Sequence, residues 1–329
     1  MHEDIIMKLH LDKDAFRVLL NDINNETGYR LDVLEKDYYV VLILEELSNF
    51  QINGLPAYFK GGTALYKALK TTERFSEDID LSVDVRNCSR TQSDKRLEAA
   101  TKKYNSLDRI IGEGKNNRSE IISIYRYEPV APYDEQDILQ RFGKVKIEAT
   151  SFTISEPVED LEISPLIYQL SNSHQKELLK NNFGVIPFKI KTISIERTFI
   201  DKIFASEAYF RKADNPGKAF EVAKHIYDLT ILENNERIKS LLSSYERVKY
   251  LLNIRITEEK GRLDGIPNIN PKDFIFFDEI AENINVKEAY DIMQRQYVFQ
   301  NENKIDFNDV IKSLNRIKLA LMKIQALKN

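Results

Sequence analysis

The chain has 329 residues, with 48 Lys and Arg against 52 Asp and Glu and a formal net charge of −4, so it lacks the basic excess of proteins that grip nucleic acid through nonspecific phosphate contacts. Apolar residues make up 42% and charged residues 30%, an ordinary soluble balance, and the single cysteine, Cys88, excludes an intramolecular disulfide and a cysteine-based zinc cluster. The longest apolar run, 38–44, is too short to span a bilayer and no secretory pattern opens the chain, which predicts a cytoplasmic protein.

Apolar spacing predicts helices over 9–26 and 31–50, with Asp12 or Asp14 as N-cap. A strand follows at 57–60, then a helix at about 63–70, a strand at 79–84 and a helix across 91–111. Residues 119–128 and 143–154 alternate in the manner of strands. The stretch 155–165 reads as a loop rich in Glu, Asp and Pro, and 188–193 as one more short strand. From 194 onward the pattern is helical, at 194–212, 217–233, 235–253, 286–299 and 306–327. The expected fold class is α+β: a small mixed sheet flanked by helices in 1–190, followed by a helical domain in 191–329. A chain this long suits two cores, since single cores stop growing at roughly 250–300 residues.

The stretch from Lys60 to Asp84 carries the chemistry. Gly61 and Gly62 lack Cβ atoms, so their amides can approach phosphate oxygens at the mouth of a helix. Asp78 and Asp80 stand two apart on a predicted strand, whose period of two puts both carboxylates on one face, roughly 7 Å apart at Cα. Hard oxygen ligands of this kind suit Mg²⁺. Composition alone yields about eight acidic-x-acidic pairs in a chain with 52 acidic residues. The signal is therefore the order strand, glycine pair, helix, aspartate strand. Arg74 and Ser76 complete the block as candidate phosphate ligands, with loop capping as the alternative.

These residues resemble the nucleotidyltransferase superfamily, and in particular the AbiEii/AbiGii toxin family, whose glycine pair, Arg-x-Ser and Asp-x-Asp pattern is matched by Gly61, Gly62, Arg74, Ser76, Asp78 and Asp80. The segment EKDYYVVLILEEL at 35–47 resembles the family's Lys-Asp-Tyr helix. In TISIERTFIDKIFASEAYFRK, Lys202 matches a lysine that faces the triphosphate and Arg211 an arginine about two turns later; the alternative is a pair of helix charges bound to Asp201 or Glu207. VAKHIYDLTIL supplies Asp228, which could orient Lys202 or contact the base or ribose, while His225 departs from the family pattern. By the same resemblance Glu148 is a third carboxylate, completing the metal site or taking a proton, against an exposed strand glutamate beside Lys144 and Lys146.

The resemblance implies a nucleotidyltransferase core with catalytic Asp78, Asp80, Glu148, Lys202 and Asp228. Nucleotide would be held by Gly61, Gly62, Thr63, Arg74, Ser76, Lys202 and Arg211, and Mg²⁺, or Mn²⁺ in its place, by Asp78, Asp80 and Glu148. The expected reaction moves a nucleoside monophosphate from an NTP to an acceptor hydroxyl, in a cleft to which the helical domain contributes. The implied acceptor is RNA, namely the tRNA 3′ end, and the implied role is that of the toxin of a toxin–antitoxin or phage-defence system with a cognate antitoxin. Two rivals stand beside it: an NTP-binding effector without turnover, and transfer of the nucleotide to a protein side chain.

Overall fold

The computed structural model describes residues 7–132, 142–260 and 265–326. In chain order its elements are α1 (Lys13–Thr27), α2 (Leu31–Ile52), β1 (Ala57–Lys60), α3 (Gly61–Lys67), β2 (Ile79–Val83), α4 (Arg90–Lys102), β3 (Asp108–Arg109), β4 (Lys115–Asn117), β5 (Glu120–Arg126), β6 (Lys144–Thr150), β7 (Val158–Ile163), α5 (Leu166–Leu170), α6 (Ser173–Phe183) and β8 (Phe188–Ile193). Helices then take over: α7 (Ile195–Phe210), α8 (Pro216–Glu233), α9 (Glu236–Leu242), α10 (Tyr245–Lys260), α11 (Phe276–Glu279), α12 (Ile284–Tyr297) and α13 (Phe307–Ala326). The fold is mixed α and β, with an open mixed sheet and many helices.

The chain clusters into two units. The first holds Met1–Thr63, Glu77–Ser151 and Glu159–Thr192, and the second holds Ala64–Ser76, Phe152–Val158 and Ile193–Asn329. The excursions 64–76 and 152–158, which lie before residue 190, therefore belong with the helical half.

In the first unit the strands run β3-β5-β6-β2-β1-β8-β7, with β4 added on β5. β1 is antiparallel to β2, β2 is parallel to β6, and β6 is antiparallel to β5. Period-two alternation gives the central strands one apolar face. Phe59, Ile79, Leu81, Val145, Ile147 and Ala149 are fully buried, and the residues between them, Lys60, Asp80, Lys146 and Glu148, stay half-buried on the other.

Helix α2 anchors this sheet through three consecutive charges. Glu35, Lys36 and Asp37 are only 1%, 2% and 2% exposed, a burial such groups tolerate only when hydrogen-bonded. Glu35 accepts from the amides of Val130 and Ala131 at 2.8 and 3.0 Å. Burial nevertheless pushes its carboxyl up to about 7, against the two amide bonds that lower it. Asp37 accepts from the Leu166 amide at 2.5 Å, at the start of α5. Lys36 donates to the Lys144 carbonyl at the head of β6 and lies 3.7 Å from Glu77, the residue before Asp78.

The second unit is helical. Asn215 caps α8 ahead of Pro216, and Asn283 caps α12. Both excursions are tied in by polar contacts. The Phe75 amide donates to the Tyr297 carbonyl at 2.8 Å. The Arg197 guanidinium grips Glu258 of α10 through two bonds of 2.7 Å and donates to the Ile154 carbonyl at 3.1 Å.

Four sequence expectations change here. The helix expected over 91–111 stops at Lys102, because the amides of Asn105 and Ser106 turn to the Glu46 carboxylate at 2.9 and 2.8 Å. The acidic stretch 155–165 contains strand β7, which lies at one end of the strand order, where charged side chains discourage further pairing. The helix expected over 235–253 is two helices broken at Ser243, whose amide closes α9. Finally, α6 had not been anticipated, although an Asn172/Gln175 capping box starts it and Gly184 at φ 63° ends it.

Candidate active site

The register of three strands assembles the acidic face. Asp80 lies directly across from Lys60 on β1 and from Glu148 on parallel β6, and Ile79 pairs with Ile147. One residue earlier in the same register, Asp78 faces Lys146, and the Lys146 ammonium sits 2.7 Å from the Asp78 carboxylate and 3.9 Å from that of Glu148. Lys60 donates to the Thr150 hydroxyl at 3.0 Å. Asp78, Asp80, Glu148, Lys60 and Lys146 thus share one side of the sheet.

Two residues of α3 fix the aspartates. Thr63 is buried, and its hydroxyl donates to the Asp78 carbonyl at 2.5 Å. Gly61 opens the helix at φ 81°, and a Cβ on it would fall 2.1 Å from Asp80 Oδ2 and 2.9 Å from Asp80 Cγ. The backbone here is both left-handed and in close approach, so only glycine fits. Gly61→Ala is therefore expected to push the Asp80 carboxylate aside and to cost roughly 1–3 kcal/mol of stability. A urea titration checks this, and an unchanged midpoint with unchanged activity would contradict it.

Burial and the neighbouring Glu148 and Asp78 carboxylates push Asp80 up to about 7, against the pull of Lys146 and Lys60. Burial acts to lower the Lys146 ammonium, but Asp78, Asp80 and Glu148 outweigh it and hold the pKa above the ordinary lysine value. Such shifts mark a carboxylate cluster short of positive charge. Among the described residues no group of three or more His, Cys, Asp and Glu side chains is gathered closely enough to hold a metal ion alone. Mg²⁺ does not require one, since it ordinarily takes one or two carboxylates together with substrate phosphates and water. Asp78 and Asp80 fit that donor set, and Glu148 stands beside Asp80.

Arg74, Lys202 and Asp228 form a group within the second unit. Asp228 is fully buried. It accepts two bonds from Arg74, at 2.8 and 2.6 Å, one from the Thr72 hydroxyl at 3.2 Å, and the Lys202 ammonium at 2.6 Å. Burial works to raise its carboxyl, but Arg74 and then Lys202 hold it well below the ordinary carboxylate range. Lys202 is 4% exposed, and burial lowers its pKa despite Asp228. Its ammonium also lies 3.4 Å from His225 Nδ1. Burial, and then Lys202, keep that imidazole well below its usual value, hence neutral.

Arg211 is bound to Glu207 at 2.7 Å, and Glu207 in turn accepts from the Phe276 amide at 3.1 Å. Ser76 is half-buried in the same unit. The structure therefore brings Gly61, Gly62, Thr63, Asp78, Asp80 and Glu148 together in the first unit, and Arg74, Lys202 and Asp228 in the second. Sequence reading missed Lys60 and Lys146 beside the acids and Thr72 beside Asp228. Alternation in KVKIEAT put Lys146 on the face of Glu148, but only the pairing of β6 with β2 sets it against Asp78.

A family model described as the nucleotidyl transferase AbiEii toxin of type IV toxin–antitoxin systems matches residues 43–313. No curated protein matches the chain. Among solved structures, JHP933 from Helicobacter pylori is similar at 17% identity and a TM-score of 0.35, over 89% of this chain and 97% of that one. MenT4, a nucleotidyltransferase toxin from Mycobacterium tuberculosis H37Rv, is similar at 13% identity and a TM-score of 0.43, over 94% and 98%. Likenesses this loose carry nothing about function.

Proposed function

Because the chain belongs to the AbiEii family of nucleotidyltransferase toxins, we propose that it transfers a nucleoside monophosphate from an NTP to an acceptor hydroxyl, with Asp78 and Asp80 as ligands of Mg²⁺ or Mn²⁺. The observation that supports this most is the strand register that sets Asp80 opposite Glu148, with Asp78 on the same face. In the reaction the acceptor oxygen bonds to the α-phosphorus, the bond to the bridging oxygen breaks, and its electron pair leaves with pyrophosphate. Glu148 takes the proton of the hydroxyl. The metal, when bound, neutralises the triphosphate and aligns the acceptor oxygen.

Gly61 makes room for Asp80, and the amides of Gly61 and Gly62 meet the phosphates, with Ser76 as a further phosphate contact. Thr63 acts through the Asp78 carbonyl. Arg74, Lys202 and Asp228 act as one buried charge unit, and Arg211 acts together with Glu207. The acceptor is an RNA 3′ hydroxyl, that of tRNA, held by local contacts because the net charge of −4 offers no general grip on RNA. The family's type IV toxin–antitoxin description implies a cognate antitoxin as partner. Among the described residues no helix is long and apolar enough to cross a membrane.

Pyrophosphate release tests this reading. With Mg²⁺ or Mn²⁺ and each NTP in turn, release is expected only when deacylated tRNA is added, and it is expected to vanish in Asp80→Asn. No release with any NTP would overturn transfer altogether. Release that needs no RNA and leaves the nucleotide on protein would move the acceptor to a side chain.

A further inference from the structure

Lys146 has no part in the reaction above, yet it stands where a cation belongs. Its ammonium is 2.7 Å from Asp78 and 3.9 Å from Glu148, the distances of ion pairs to two of the three carboxylates on this face. The position is built rather than fortuitous. β6 runs parallel to β2 with Ile79 opposite Ile147, which puts residue 146 across from residue 78 on the acidic face. The backbone below is anchored as well, because the Lys144 carbonyl accepts from buried Lys36.

We infer that Lys146 is the resident counter-ion of the metal site, so that a divalent cation enters only together with a triphosphate, whose oxygens take over the displaced ammonium. This rests on Asp78 and Asp80 being metal ligands. Asp78, Asp80 and Glu148 supply the negative charge that draws a cation to this face. With Lys146 in place, an incoming cation meets less net charge and must first part an ion pair. Displacement needs no movement of the sheet, since the lysine stem is flexible and its side chain is 36% exposed. A phosphate oxygen is a strong acceptor for the released ammonium. The lysine thereby couples the metal to the substrate and keeps the site closed to free cations.

Mn²⁺ binding to the full chain, read by electron paramagnetic resonance, tests the inference without turnover. The probes are Mn²⁺ alone and Mn²⁺ with each α,β-methylene nucleoside triphosphate. Without nucleotide, Lys146→Gln is expected to bind Mn²⁺ about tenfold tighter than the unaltered chain, or more. Adding the analogue is expected to tighten Mn²⁺ strongly in the unaltered chain and less in Lys146→Gln. Lys144→Gln removes the same charge from the same strand, but its side chain pairs with Glu113 at 2.9 Å, and it is expected to stay near the unaltered affinity. Equal Mn²⁺ affinity in Lys146→Gln and the unaltered chain would overturn the inference, as would an equal gain in Lys144→Gln. Retention of analogue-dependent Mn²⁺ binding in Asp80→Asn would instead overturn the assignment of the metal ligands, and a melting curve for each variant confirms that it is folded.

Discussion

Asp80→Asn is expected to lower nucleotidyl transfer by roughly a thousandfold while making the metal-free protein more resistant to heat near pH 8. The loss follows from the proposed role of Asp80 as a metal ligand. An amide oxygen carries no charge to hold the cation, and several kcal/mol of transition-state stabilisation go with it, at about 1.4 kcal/mol per factor of ten. The gain follows from the crowding. Asp80 is pushed up to about 7 by burial and by Glu148, so above that pH the folded chain holds a carboxylate it disfavours.

The sign of the pH dependence is fixed by that shift. Between about 4 and 7 the folded state binds the Asp80 proton more readily than the unfolded chain does, so stability falls as pH rises through that window. Replacing the carboxylate removes this slope. The melting temperature of Asp80→Asn should therefore exceed that of the unaltered chain near pH 8, and the two should converge near pH 4. Transfer retained above a tenth of the original rate would contradict the role of Asp80. A melting temperature that falls equally at both pH values would contradict the electrostatic account.

Asp228→Ala should act on stability first, by about 3–5 kcal/mol. The aspartate is the shared partner of Arg74 and Lys202, which are 3% and 4% exposed. Its removal leaves two buried cations with no counter-charge. Since whole domains are stable by only about 5–15 kcal/mol, a loss of this size brings the helical unit close to unfolding. A second substitution identifies the cause. Adding Lys202→Met to Asp228→Ala removes one orphaned charge, and part of the lost stability should return instead of a further loss appearing.

Asp228 is held well below the ordinary carboxylate range, so its contribution is complete above about pH 4 and is lost as pH falls towards the folded pKa. Acid should therefore destabilise the unaltered chain more than it destabilises Asp228→Ala. Urea midpoints near pH 7 and near pH 3 check both statements. A midpoint for Asp228→Ala within about 0.5 kcal/mol of the original would show that Arg74 and Lys202 find other partners, and would contradict the account.

Local signals made much of this architecture legible. Asp12 before α1, the alternation in IDLSV and KVKIEAT, and the glycine pair between β1 and β2 all act within a few residues of themselves, and the elements stand where those signals put them. The place of Glu148 on a strand neighbouring Asp80 is implied by the family resemblance and not by any local signal. What escaped depends on partners distant in sequence. Glu35, Lys36 and Asp37 look like solvated helix charges until Val130, Lys144 and Leu166 are brought to them. The resemblance offers Asp228 as a partner that orients Lys202 but gives no sign of its bond to Arg74, since that contact spans 154 residues. The excursion 64–76 clusters with the second unit although it lies between two strands of the first, and no local pattern marks it.

The proposed reaction passes a nucleotide to RNA through the Asp78/Asp80 pair. It is tested most directly by incubating the pure protein with total tRNA, Mg²⁺ and each α-³²P-labelled NTP in turn, beside Asp80→Asn, and resolving the products on a denaturing gel. Label on tRNA from at least one NTP, and none with the variant, is the expected result. Label on protein alone, label that persists in Asp80→Asn, or no label with any nucleotide would contradict it.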